Sequence, residues 1–425
     1  MLRTLRIISF VLGILQVLDL SLFCANPDAT DIAIYGLTEE GKIYYRKGSD
    51  WALLDGNTRW AHIAAGPNGQ LYGITHVIYK SEEDNKDNNY PTPADIEKWP
   101  TLLDGGDVSV RTGVTAENPM GSGWVQIPSR RLTYGRLDHF IGIAAGKDKI
   151  IGCTAPKYRD ILIRSNPLRG DVHANAASPW QETKGTAYDV AMDPVNGTMF
   201  IIDDWQRYSG GNTYSSVIGH IYKRNASDTS GWDNISPWCI GSISKDNMNS
   251  SDQYVGEEGW GKTLHVCATR SNIIQIAAGN NTLFCVGKDG ALFANTNPND
   301  DNYTALDPAP IRLPALYTMT SQSRPFIAAG VKSNGANEVW LVQRQTIQYV
   351  QQNQLYHEAE TTQTASQGFV AGRTLETASF IFRRQGTELG NQTGFGWEQV
   401  YSSLDAKPDQ KFVFKEIAVG SLKTP

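Results

Sequence analysis

The chain has 425 residues, 19 % of them charged, and a net charge of −6. This length holds one large domain or two ordinary ones, and no Pro/Ser-rich linker or composition break divides it. The acidic balance provides no electrostatic footprint for nucleic acid or an anionic membrane surface.

Arg3 and Arg6 precede an apolar run over residues 7–18, and small residues follow near Cys24-Ala25. This pattern predicts a secretory signal peptide over residues 1–25, with Phe23 as an imperfect feature of the cleavage site, and a single mature domain over 26–425. Asp19 interrupts the run short of the ~20 apolar residues a spanning helix needs, so no stable membrane insertion is expected.

The mature chain opens on IAIYGL at 32–37 and IYYR at 43–46, then Trp51 with Leu54. HIAAG follows at 62–66, LYGIT at 71–75, Ile78-Tyr79-Lys80, Trp99 with Leu102, and Trp124 with Ile127. GIAAG at 142–146 leads into IIGCT at 150–154, ILIR at 161–164, and Trp180 with Thr183. A degenerate DVAMD at 189–193 leads into MFIID at 199–203, IYKR at 221–224, and Trp232 with Ile235. QIAAG at 275–279 leads into LFCVG at 283–287, with Tyr303 and Leu306 in the place of a tryptophan unit. FIAAG at 326–330 leads into VWLVQ at 339–343, FIFR at 380–383, and Trp397 with Val400. The chain finishes on EIAVG at 416–420.

Short runs rich in Ile, Val, Tyr and Phe, bounded by Gly, Asn, Asp and Pro, are the signature of strands and turns. Four such strands per unit, repeated radially, predict an all-β chain forming a single β-propeller of four-stranded blades. The opening unit lacks a first strand, and the closing EIAVG is a first strand lacking the rest. The N- and C-terminal strands are therefore expected to close one composite blade and hide the edges of an open sheet. The count of first strands favours six blades. Five or seven are alternatives, because 343–386 offers two candidate third strands. The Ala-Ala-Gly itself reads as packing around a crowded axis.

Four cysteines remain once Cys24 is removed. Cys239 and Cys267 flank one long insertion and are the expected disulfide, whereas Cys153 and Cys285 lie in second strands and read as small buried apolar side chains. No Cys-x-x-Cys or Cys/His cluster suggests a metal, and no cofactor is expected. Asn196, Asn225, Asn234, Asn249, Asn280, Asn302 and Asn391 begin Asn-x-Ser/Thr sequons, candidate glycosylation sites in a secreted chain.

The ordered set of Trp-x-x-aliphatic, then Ala-Ala-Gly behind an aliphatic residue, then Leu-Tyr-Gly, then Ile-Tyr-Lys/Arg resembles the tectonin repeat of tectonin and tachylectin-2-like lectins. It is clearest in WALLDGNTRWAHIAAGPNGQLYGITHVIYKS at 51–81 and covers most of 33–420 in pieces. The resemblance implies a secreted propeller lectin that recognises glycans or glycoproteins, microbial surface polysaccharide among them, at several equivalent sites.

A sugar site wants an aromatic platform with fixed polar partners. The candidates for carbohydrate binding are Trp51 with Asp55 and Asn57, Trp99 with Asp104, Trp124, Trp180 with Gln181, Trp232 with Asn234, and Trp397. The competing reading is that the repeat tryptophan packs sheet against sheet in each blade. Two alternatives to a lectin stay open: a protein-interaction scaffold using the insertion loops, and a propeller glycosidase. No recurring Asp-box or nucleophile elbow supports the latter, so no catalytic residue is assigned.

Overall fold

The computed structural model describes residues 31–76, 78–79, 103–104, 106–128, 139–154, 160–165, 180–187, 189–205, 217–227, 231–236, 273–287, 290–299, 302–313, 317–323, 325–349, 375–387, 391 and 394–422. The leader, Trp99, Cys239, Cys267 and Asn249 lie outside them.

Six antiparallel sheets follow one another along the chain. The first joins the two ends: β27 (Phe414–Ser421) lies inside β1 (Ile32–Thr38), β2 (Ile43–Lys47) and β3 (Asp50–Asp55). Seven registered pairs, from Ile32 with Ser421 to Thr38 with Phe414, zip β27 to β1, so the expected composite blade is present. The second blade is β4 (Trp60–Ala65), β5 (Leu71–Thr75), β8 (Val108–Thr112) and β9 (Gly123–Gln126). The third runs β10 (Phe140–Ala145), β11 (Lys149–Thr154), β12 (Asp160–Ser165) and β13 (Gln181–Thr186). The fourth is β14 (Asp189–Met192), β15 (Met199–Trp205), β16 (Val217–Arg224) and the two-residue β17 (Asp233–Asn234). The fifth is β18 (Ile273–Gly279), β19 (Thr282–Gly287), β20 (Leu292–Asn295) and β21 (Thr304–Leu306). In the sixth, β22 (Tyr317–Gln322) and β23 (Phe326–Val331) pair with opposite ends of the long β24 (Asn337–Tyr349), followed by β25 (Leu375–Gln385) and β26 (Trp397–Ser402).

The core confirms the ring. Its apolar side chains fall into six clusters, one between each pair of neighbouring blades. The cluster that closes the circle packs Trp340, Val342 and Ile381 of the sixth blade against Tyr44, Phe414 and Ile417 of the first. The chain is a six-bladed β-propeller.

The inner strands explain the Ala-Ala-Gly. A Cβ on Gly146 would come 2.4 Å from the sulfur of Met192 in the next blade, and one on Gly330 would come 2.3 Å from Val419. Contacts below 3 Å are not available to a real side chain, so glycine is required where one inner strand crosses close to the next.

Two expectations are corrected. Ile78-Tyr79 is not the third strand of the second blade: it is β6 (Ile78–Tyr79), which pairs with β7 (Leu103–Asp104) in a separate ribbon. The third strand is β8, because Val108 and Val110 bury fully and leave Arg111 beside Trp124. In the sixth blade the two candidate third strands resolve into one, β25, and the other is the continuation of β24. Cys153 and Cys285 are buried, as read.

Candidate functional site

In three blades the repeat tryptophan sits in a recurring aromatic stack. Trp51 lies 4.4 Å from Phe414, Trp124 lies 4.3 Å from Trp60, and Trp180 lies 4.7 Å from Phe140, ring centre to ring centre. The partner in each case opens the innermost strand of the same blade. The ring of that partner covers a second-strand glycine: a Cβ on Gly36, Gly73 or Gly152 would meet it at 2.5, 2.5 and 2.7 Å. A third-strand arginine completes the stack. Arg111 lies 5.4 Å from Trp124, Arg164 6.0 Å from Trp180, Arg224 5.8 Å from Trp232 and Arg384 5.3 Å from Trp397. Such cation–π contacts each contribute about 0.5–2 kcal/mol. In the first blade Arg46 instead reaches Trp340 of the sixth, at 5.0 Å.

This geometry decides which tryptophans face solvent. Trp51 is 4 % exposed and Trp180 3 %, and among the described residues the buried indole N–H groups of Trp51, Trp124 and Trp180 find no hydrogen-bond partner. Trp51 and Trp180 are packed inside their blades, and Trp124 is half-buried. Trp232 and Trp397 stay half-buried, and Trp397 donates its Nε1–H to the Asp307 carbonyl at 2.7 Å. The polar partners are scattered. Asp55 accepts the N–H groups of Asn57 and Thr58 and closes its own turn. Asn234 accepts from Ser236, Gln181 is exposed, and Asp104 belongs to the separate ribbon. Among the sequons, Asn225, Asn234 and Asn302 are exposed and Asn391 is half-buried. The Asn196 amide donates to Asn281 at 2.9 Å and the Asn280 amide to the Gly335 carbonyl at 3.0 Å, so both tie neighbouring blades together.

A different set of residues converges at the axis. The residue just before the repeated aliphatic-Ala-Ala triplet is Glu416, His62, Gly142, Asp189, Gln275 and Phe326, taking the blades in order. All but Gly142 and Glu416 line one cavity of about 90 Å³ bounded by the inner strands, and Glu416 reaches it through its bond to His62. Side chains here reach to the following blade. Glu416 accepts the Ile63 N–H at 3.2 Å, and Asp189 accepts the Ile276 N–H at 2.9 Å. Gln275 grips Ile327 twice, accepting its N–H at 3.0 Å and donating to its carbonyl at 3.2 Å. An innermost strand has a free edge of unpaired backbone groups, and these side chains satisfy it.

His62 bridges three blades. Its Nδ1 lies 3.0 Å from Glu416 and its Nε2 lies 3.3 Å from the Ile143 carbonyl. Both partners are acceptors, so only the imidazolium, with a proton on each nitrogen, satisfies both. Burial opposes this charge, but the Glu416 carboxylate, its hydrogen bond and Asp189 hold the His62 pKa above the ordinary value. Burial pushes the Asp189 carboxyl up to about 6, against the hydrogen bonds from Ile276 and Val190 and the His62 charge. This belt has no assigned role in the sequence analysis. Its signal was present in the changing first letter of an otherwise constant phrase.

A family model named Hyd_WA, described as a propeller, matches residues 102–127, the part of the second blade that carries β8, β9 and Trp124. No curated protein matches the chain. Among solved structures, it is similar to human WBSCR16 at 10 % identity and a TM-score of 0.33, over 87 % of this chain and 93 % of that one. It is similar to YCF48, solved bound to D1 peptide, at 12 % identity and a TM-score of 0.32, over 85 % and 91 %. Prp20p from Saccharomyces cerevisiae follows at 10 % identity and a TM-score of 0.28, over 74 % and 82 %.

Proposed function

We propose that this protein is a secreted binding propeller that recognises carbohydrate without chemistry. One observation carries the ligand class. At the outer edge of the sixth blade, Phe395 is 81 % exposed, and Trp397, two residues on, keeps part of its ring at the surface beside Arg384. Arg383 and Glu398 form an ion pair on the same strands. An aromatic face flanked by charged hydrogen-bonding groups is what a sugar needs, with its apolar C–H face and its many hydroxyls. The tectonin-like order of the repeat supports the same class. The absence of chemistry is argued from how the axial carboxylates are used. Asp189 and Glu416 both spend oxygens on backbone N–H groups, as ties between blades.

A glycan array with free-sugar competition tests this reading. Saturable binding that one sugar competes away supports it. A clean negative with folded protein sinks it and leaves the second reading, a protein-interaction scaffold. The 81 % exposure of Phe395 favours that reading too, because exposed aromatics also mark protein interfaces.

A further inference from the structure

In a repeat protein, positions that serve packing recur, since each unit solves the same packing problem. The inner strands obey this: Ile63, Ile143, Ile276, Ile327 and Ile417 occupy one position in five blades, and the Val190 of the degenerate copy fills the sixth. The position before it breaks the rule with six different residues. Three are ionisable, one is an amide, one is an aromatic ring and one has no side chain at all. Ties between strands do not need such variety, and among the described residues the Phe326 ring and Gly142 make no hydrogen-bonded tie to the next blade.

The composition of this rim is specific. Around the six-fold ring, Phe326 stands opposite Gly142, so an aromatic wall faces a gap. Glu416 stands opposite Asp189, and His62 opposite Gln275. Phe326 is half-buried, and its ring lies 6.4 Å from that of His62. His62 and Glu416 keep 16 % and 15 % of their side chains exposed, so the rim is in reach of solvent. Among the described residues Glu416 bonds through Oε2, which leaves Oε1 as an acceptor. Gln275 uses one of its two amide hydrogens on Ile327, leaving the second as a donor. Asp189 takes one N–H on each oxygen and retains lone pairs on both. Asp189, Gln275 and Phe326 line about 90 Å³ of space, and Glu416 adjoins it through the lining residues His62 and Ile417.

We propose that the rim of the axial channel is a single ligand site that takes one neutral sugar residue at the end of a glycan. Hydroxyls of the sugar donate to Glu416 and Asp189 and accept from Gln275, while its C–H face lies against Phe326. The volume sets the size. On this measure one water needs about 10–15 Å³, so the cavity replaces a handful of waters and admits one ring, not an oligosaccharide. A neutral polyol suits the rim because hydroxyls both donate and accept, as its mixed inventory requires. The proposal rests on the carbohydrate reading above, and it differs from the several equivalent sites that the repeat resemblance implies: an asymmetric axis offers one site per chain.

The test uses the full mature chain and a panel of methyl glycosides of the common hexoses and N-acetylhexosamines. Native mass spectrometry counts bound sugars, and calorimetry gives affinities for wild type, Phe326→Leu, Glu416→Gln and Trp397→Ala. Phe326→Leu keeps an apolar wall of similar volume, and Glu416→Gln keeps an acceptor, so the two variants guard each other against failure to fold. The expected result is one sugar per chain and at least tenfold weaker binding in Phe326→Leu and Glu416→Gln. Several sugars per chain, or loss of binding only in Trp397→Ala, overturns the axial site and leaves the lectin reading standing. No binding to any glycoside or array glycan by folded wild type overturns both.

Discussion

His62 of the second blade and Glu416 of the first hold each other at 3.0 Å, across the seam where the last strand of the chain meets the first complete blade. The pair joins the two ends of the molecule to its interior. Lys415 adds a second stitch at the same seam, donating to the Ala61 carbonyl at 3.0 Å. Whatever loosens this contact loosens the ring.

The first prediction concerns pH. The charged groups that face His62 are Glu416 and Asp189, both anionic when ionised. The folded pKa of His62 is raised, so its stabilisation is fully present below its ordinary value of 6.5 and is lost as pH rises through the folded value. The Asp189 carboxyl is raised from 3.8 to about 6, so the folded state holds this proton more tightly than the unfolded chain, and that advantage fades as pH rises from about 4 through 6. Both slopes have the same sign. The Tm should fall by a few degrees between pH 5 and pH 8, and His62→Gln should flatten the part above pH 6.5. Parallel Tm profiles for wild type and variant would refute the role given to His62.

The aromatic stack predicts an asymmetry between glycines. Gly73→Ala places a methyl 2.5 Å from the Trp60 ring, and overpacking of this kind costs about 1–3 kcal/mol. Gly123→Ala, in the fourth strand of the same blade, meets nothing closer than 3.9 Å and should change stability by less than about 0.5 kcal/mol. Urea denaturation of both variants separates them. Equal midpoints would argue against a close-packed stack.

Tryptophans should divide in the same way. Trp180→Ala empties a core position between Phe140 and Arg164, at a cost of about 3–5 kcal/mol. Trp397→Ala, at a half-buried edge, should cost less than half of that. Similar losses at the two positions would mean that the outer edge is as tightly packed as the blade interior.

Ring closure can be cut directly. Truncation after Pro408 removes β27, with it Phe414, Ile417 and Val419 from the cluster between the sixth and first blades. It also exposes the edge of β1. The truncated chain should lose cooperative unfolding and aggregate on heating. A product with an unchanged, cooperative transition would contradict closure by the terminal strands.

The aliphatic-Ala-Ala-Gly phrase was readable without coordinates, because close crossing at an axis leaves little choice of side chain. The complementary half-units at the two ends were readable for the same reason: an unpaired inner strand demands a partner. The second blade was harder. Ile78-Tyr79-Lys80 and Val108–Thr112 satisfy the same local pattern, an apolar run ending near a basic residue. What separates them is where Trp124 and Trp60 stack, and that contact spans 64 residues of chain.

The sequence by itself determined the class of the fold and the closure of the ring and favoured six blades over five or seven, since these follow from short strands that repeat and from ends that complement each other. It also narrowed the repeat tryptophans to two roles, packing or recognition. Only the tertiary structure shows how far each ring is covered, because exposure depends on which side chains of the folded blade close over it. It alone revealed the axial belt. Glu416, His62, Asp189, Gln275 and Phe326 are separated by most of the chain, and they meet only because six parallel inner strands bring the same register position to one rim.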